Sequence, residues 1–205
     1  MTNPAQRPVS VTCDVPAPAG VRTSMLELRI HGRGGQGAQV GCQMLATAFF
    51  RAGRSVQAFA AYGGERRGAP VTASVRVDTQ PIHLRCDVGR AGAALVLDAS
   101  LLPAITPASL APDALLVVNT TSVPASPTAD TTLVTVDATA IAREHGLGPI
   151  VATAVLGAFA GATRLFELTD LLAAVEELSP VKKAENVAAC AAAYAATVAA
   201  RATPP

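Results

Sequence analysis

Gly32-Arg33-Gly34-Gly35-Gln36-Gly37 is the feature that most restricts what this chain can fold into. It follows Met25 to His31, where Leu26, Leu28 and Ile30 alternate with polar residues as on one face of a strand. It precedes Ala38 to Ala52, where Val40, Met44, Leu45, Ala48 and Phe49 recur at helical spacing, with Gly53 placed as a C-cap. A strand, a sharp glycine turn and a helix in that order open a βα unit of an α/β sheet. Gly32, Gly34 and Gly37 satisfy G-x-G-x-x-G, and the N-terminus of the helix presents unpaired N–H groups and a positive dipole end to an anion.

The remainder of the dinucleotide fingerprint is missing. Such a site needs an acid roughly 20 residues on, at the end of the second strand, to hold ribose hydroxyls. From Leu28 to Gly64 there is no acidic residue, and the second strand, Ser55 to Ala60, runs out in Phe59-Ala60-Ala61. That stretch does carry Arg29, Arg33, Arg51 and Arg54, a local excess of four positive charges in a chain of net charge +1. Arg51 and Arg54 suit a helix C-terminus. Arg33 lies inside the loop at the carboxyl edge of the sheet, where α/β proteins bind ligands, and is the candidate for an anion or a partner carboxylate.

Further elements follow the same reading. Val71 to Val77 is a third strand, and the apolar runs Ala93 to Leu97 and Leu115 to Val118 end at Asp98 and Asn119 as buried parallel strands do. Pro107 to Asp113 reads as a short helix or turn between them. Leu133 to Val136 is a last strand, and Asp137 caps a helix running to His145. From Ile150 the pattern is helical throughout. A Gly/Ala-rich helix to Thr163, with Ala154, Gly157, Ala158 and Gly161, allows close approach of another backbone, and Leu168 to Leu178 is the next. Ser179-Pro180 then reads as an N-cap and first-turn proline opening a helix from Val181 to Arg201. The fold class is α/β: an open, mostly parallel sheet with helices on both faces and a helical C-terminus. Residues 25–205 form one domain, and residues 1–24, with four prolines and no apolar stretch, form an extended or disordered tail that could drape over a partner.

A net charge of +1 offers no field for nucleic acid or an anionic membrane, and no segment reaches the roughly 18 apolar residues of a membrane span. Cys13, Cys42, Cys86 and Cys190 show no paired spacing, so no zinc or iron–sulfur site is expected on this chain. Cys42 and Cys190 sit in apolar helical patterns as buried thiols, which fits a cytoplasmic protein. His31, His83 and His145 lack any orienting Asp or Ser at motif spacing, so catalytic roles are not expected of them.

A second constellation, Tyr62-Gly63-Gly64-Glu65-Arg66-Arg67-Gly68-Ala69-Pro70-Val71, follows the second strand, and its adjacent arginines supply forked donors for carboxylate or phosphate. With the first loop it resembles the gamma subunit, or gamma domain, of the pyruvate/2-oxoacid:ferredoxin oxidoreductase family. There G-x-G-G-Q-G is followed by a helix, a strand and Y-G-P-E-x-R-G-[GA]-x-V; Gly64 stands here where the family commonly has proline. Gln80-Pro81-Ile82, Gly148-Pro149 before the Gly/Ala-rich helix, and Val181-Lys182-Lys183-Ala184-Glu185-Asn186 extend the resemblance over roughly residues 25 to 195.

The resemblance implies an accessory subunit of an enzyme that converts a 2-oxoacid and CoA to acyl-CoA by oxidative decarboxylation. Thiamine diphosphate and magnesium would sit on alpha and beta partners. A delta, ferredoxin-like subunit would hold [4Fe-4S] clusters that pass electrons to ferredoxin, or to NAD through a flavin (FAD) subunit. No cofactor is expected on this chain alone and no catalytic residue is assigned to it. The candidate cofactor-binding or subunit-junction residues are Gly32, Arg33, Gly34, Gly35, Gln36, Gly37, Tyr62, Gly63, Glu65, Arg66, Arg67 and Gly68. Two competing readings are a stand-alone dinucleotide-binding oxidoreductase and a purely structural scaffold.

Overall fold

The alternation seen in the sequence builds a seven-stranded sheet in which successive side chains serve two different cores. A computed structural model describes residues 11–13, 25–61 and 68–202. Its strands are β1 (Val11–Cys13), β2 (Leu26–Arg33), β3 (Ser55–Ala61), β4 (Pro70–Asp78), β5 (Ala91–Val96), β6 (Leu110–Asn119) and β7 (Thr132–Val136), arranged in the order β1-β7-β6-β5-β2-β4-β3. The centre, β7-β6-β5-β2, is parallel. β4 returns antiparallel beside β2, β3 pairs antiparallel with β4, and β1 adds an antiparallel edge on β7. The leading segment thus contributes a three-residue strand to the sheet.

Five α-helices follow: α1 (Ala38–Arg51), α2 (Ala138–Glu144), α3 (Ala152–Thr163), α4 (Leu168–Leu178) and α5 (Lys183–Ala202). Their buried apolar side chains join one core with Leu28, Ile30, Val75, Leu95 and Val117 of the sheet. The other face buries Ala94, Val96, Leu116 and Val118 under Leu101 and Ile105. Its helical cover is limited to the 3-10 turns Ala99–Ala104 and Pro107–Ser109. Pro103 and Pro107 leave no room there for an α-helical hydrogen-bond ladder. β6 accordingly starts at Leu110, earlier than the apolar run suggests, and shifts register against β5 where Asp113 takes φ 56°.

α3 is the helix around which the others gather: every residue from Ala152 to Ala162 is buried. The Gly/Ala spacing does what the sequence implies. A Cβ on Gly157 would lie 2.1 Å from the Cys190 carbonyl oxygen, and one on Gly161 2.9 Å from that of Tyr194, so α3 and α5 meet backbone to backbone. Asp137 caps α2 by accepting from the Ala140 amide at 2.8 Å, and Gly53 takes φ 78° after α1, both as expected.

The start of the last helix differs from the expectation. Ser179 closes α4, donating its N–H to the Val175 carbonyl, and α5 begins only at Lys183. The turn between them needs Lys182 at φ 51°, a conformation that cannot continue a helix. Asn186 holds that turn, donating from Nδ2 to the Val181 and Lys182 carbonyls (3.0 and 2.9 Å) while its Oδ1 accepts from Thr153 of α3. Within Val181 to Asn186, Asn186 is therefore architectural: it fastens the start of the C-terminal helix to α3.

Candidate functional site

The chain leaves β2 towards one side of the sheet, through α1 to β3 and β4, and leaves β5 towards the other, through β6 to β7. β2 and β5 are parallel neighbours, so the crevice beyond their carboxyl ends is the switch point where open α/β sheets bind ligands. The glycine loop sits on one side of it and the Asp98 turn on the other.

The loop is stitched to its surroundings through its own backbone. The Gly34 amide donates to the Ala69 carbonyl at 2.9 Å, and the Gly68 amide donates back to Gly34 at 3.3 Å. Gln36 turns inward: its Oε1 accepts from the Arg33 amide at 2.8 Å, and its carbonyl accepts from Ala152 of α3. A Cβ on Gly32 would lie 2.9 Å from Leu97 Cδ1 and 3.1 Å from Ala38 Cβ, so the loop packs closely on both. Gly37, at φ 88°, caps α1 facing Ala152, 3.2 Å from where its Cβ would be. Gly35 is exposed at φ 101°.

Arg33 spans the crevice. Its Nε donates to Asp98 Oδ2 at 3.0 Å, Nη1 to the Gly68 carbonyl at 3.1 Å and Nη2 to Ser100 Oγ at 2.8 Å. Ser100 in turn donates its hydroxyl (2.6 Å) and amide (3.0 Å) to Asp98 Oδ1. The Ser100 hydroxyl above all holds the Asp98 carboxyl below its ordinary range; the Ser100 amide and Arg33 add to this against a modest desolvation. One guanidinium thereby joins the ends of β2, β4 and β5.

The close approach that the second glycine of a dinucleotide motif gives to pyrophosphate is used here by Gly68 and Ala69, and that of the third by α3. The local excess of positive charge is met in part by distant acids. Arg33 is paired with Asp98 and Arg51 with Glu177, while Arg29 donates to the carbonyls of Val88 and Gly89. Those acids lie far along the chain, where local counting does not reach them. Asp98 and Ser100 are the site residues that sequence reasoning passed over. The available signal was an Asp closing a buried apolar run two residues before a Ser, the pattern of a capping turn. Of the second loop, Tyr62, Gly63, Gly64, Glu65, Arg66 and Arg67 lie outside the described residues, and Gly68 (φ 84°) is where that loop rejoins the glycine loop.

The rear of β2, β4 and β3 carries a second polar cluster. Arg76, 1% exposed, donates from Nε to Glu27 at 2.8 Å and from Nη1 to Gln57 at 3.0 Å, and its guanidinium lies 5.2 Å from the centre of the Phe59 ring. His31 is held neutral, pushed down to about 4 by burial first and by Arg29 second. Cys42 and Cys190 are buried as expected, and burial pushes both thiols up to about 12. Among the described residues no group of three His, Cys, Asp or Glu could hold a metal ion, and no helix is long and apolar enough to cross a membrane.

Fold and site define an α/β subunit whose switch-point crevice is spanned by the Arg33–Asp98 pair. The chain belongs to the pyruvate ferredoxin/flavodoxin oxidoreductase family, whose model matches residues 27–196, and within it to the gamma-type subunits. Pyruvate synthase subunit PorC of Methanosarcina barkeri is 48% identical over 142 residues, covering 68% of this chain and 78% of that protein. The pyruvate/ketoisovalerate oxidoreductases common subunit gamma of Thermococcus kodakarensis is 42% identical over 159 residues, 75% of this chain and 86% of that one. The crystal structure of pyruvate oxidoreductase subunit PORC from Thermotoga maritima superposes with a TM-score of 0.70 at 33% identity, covering 83% of this chain and 96% of that chain. A 2-oxoglutarate:ferredoxin oxidoreductase from Magnetococcus marinus shares the fold alone, with a TM-score of 0.70 at 18% identity over 32% of that longer chain.

Proposed function

We propose that this chain works as the gamma subunit of a cytoplasmic, multi-subunit 2-oxoacid oxidoreductase, packed against alpha, beta and delta partners. The assembly oxidatively decarboxylates a 2-oxoacid: CO2 leaves, the acyl group passes to CoA, and the electron pair goes to ferredoxin or an NAD-linked subunit. Thiamine diphosphate with magnesium, and [4Fe-4S] clusters, would supply the decarboxylation and electron relay from the partner subunits. The residues of this chain do not perform that chemistry. They present a rigid backbone surface, Gly32 to Gly37 with Gly68, and hold it in shape across the sheet end.

The observation that carries this reading is the Arg33 fork. A loop whose arginine is already engaged by Asp98, Ser100 and Gly68 is a shaped junction and not an open cradle for a nucleotide. Tyr62, Gly63, Glu65, Arg66 and Arg67 complete the proposed junction on the resemblance of their motif. Calorimetric titration of the purified chain with NAD and NADP tests it. No heat of binding at micromolar cofactor is expected, whereas micromolar affinity would favour a stand-alone dinucleotide enzyme instead.

A further inference from the structure

Without the leading segment, β7 would be the open edge of the parallel centre of the sheet. Thr132–Val136 holds no charge or proline, and pairs with β6 without a break in register. Four of its five residues, Thr132, Val134, Thr135 and Val136, are β-branched. A regular, uncharged strand of high β-propensity offers its unpaired N–H and C=O groups to any other chain. It cannot withdraw them by fraying, because Val134 and Val136 are fully buried in the main core. The charged residues nearest along the chain are Asp130 and Asp137, one beyond each end, and the Asp137 carboxylate is spent on capping α2.

β1 supplies what β7 lacks. Val11, Thr12 and Cys13 pair antiparallel with Val136, Thr135 and Val134, and β1 also lies against α5. This is no local hairpin, since β1 and β7 are the first and last strands of the described chain. Nor is β1 part of the family-matched body, which spans residues 27–196 and taken alone would end the sheet on β7.

We propose that residues 11–13 are an edge guard: a strand added in cis that occupies the outer backbone of β7 and keeps it from pairing with a second copy of this chain. A second copy is the occupant excluded because β7 can pair with itself about a two-fold axis through Val134, with Thr132 opposite Val136. Such a pair is antiparallel, the direction that β1 itself takes on β7. The guard acts whatever the catalytic role of the assembly.

The test uses the full chain carrying Thr12→Pro and Cys13→Pro. Adjacent residues of an edge strand point their N–H groups alternately towards and away from the neighbour, so one of the two prolines removes a donor that faces β7. Residue-resolved amide exchange at Val134 to Val136 is expected to quicken by about tenfold or more, with the melting temperature close to that of the parent. Light scattering is expected to show a monomeric parent and a self-associating variant. Added salt is expected to strengthen that association, because it screens Asp130 of one copy from Asp137 of the other. A variant that exchanges like the parent and stays monomeric overturns the guard. Release of β1 with β7 still protected, when the parent assembles with partner subunits, also overturns it, because the edge then belongs to a partner. If the variant melts early, exchange in the parent decides: outward-facing amides of Val134 to Val136 are protected if β1 is seated, and free exchange there overturns the proposal.

Discussion

Arg33 illustrates how a residue that looks free in sequence is bound in the fold. Its three donors are spent on Asp98, Ser100 and the Gly68 carbonyl, so its local role is to fix where the glycine loop meets β4 and β5. The pair is about one third exposed, which keeps its contribution to stability modest. Arg33→Ala is expected to cost about 1 kcal/mol in the isolated chain, a melting shift of roughly 2–4 °C. In the assembled enzyme the same substitution is expected to lower kcat/KM for the 2-oxoacid reaction several-fold; unaltered kinetics would favour a purely structural scaffold. His31 gives a second expectation. The folded state keeps it neutral down to about 4, against 6.5 for the free group. Below 6.5 the unfolded chain binds a proton that the folded chain refuses, so stability falls as pH drops through that window. Melting curves should show a shallower decline between pH 6.5 and 4 for His31→Gln than for the parent; parallel declines would contradict the assignment.

At the scale of elements, what was legible in the sequence is what depends on near neighbours. The period-two pattern of β2, the Asp137 cap and the Gly53 terminus were readable because each is set within a few residues. The start of α5 was not. Ser179-Pro180 has the chemistry of a helix opening, but the turn that opens α5 is decided by Asn186 reaching back to Val181 and Lys182 and across to Thr153. The Arg33–Asp98 pair was hidden for the same reason, since the two residues meet only once β2 and β5 lie side by side. The glycine-rich face of α3 was legible as a close approach, though not its partner. That contact makes a direct prediction: Gly157→Ala places a methyl group against the Cys190 carbonyl, where neither backbone can yield. Such overpacking is expected to destabilise the chain by about 1–3 kcal/mol. A calorimetric melting temperature equal to that of the parent would show that α3 and α5 are not in backbone contact.

For the whole molecule, the sheet topology decides what lies beside the glycine loop. β4 folds back beside β2, so that Gly68 and Ala69 hydrogen-bond Gly34 on one side of the loop, and α3 packs against Gly37 on the other. The result is a switch-point surface formed largely of backbone, which the proposed function assigns to a junction with another subunit. Turnover of 2-oxoacid and CoA with an artificial electron acceptor tests this most directly, compared for the isolated chain, the partner subunits without it, and the full assembly. The account predicts turnover in the full assembly, none in the isolated chain and a severe loss without it; turnover by the isolated chain alone would contradict it.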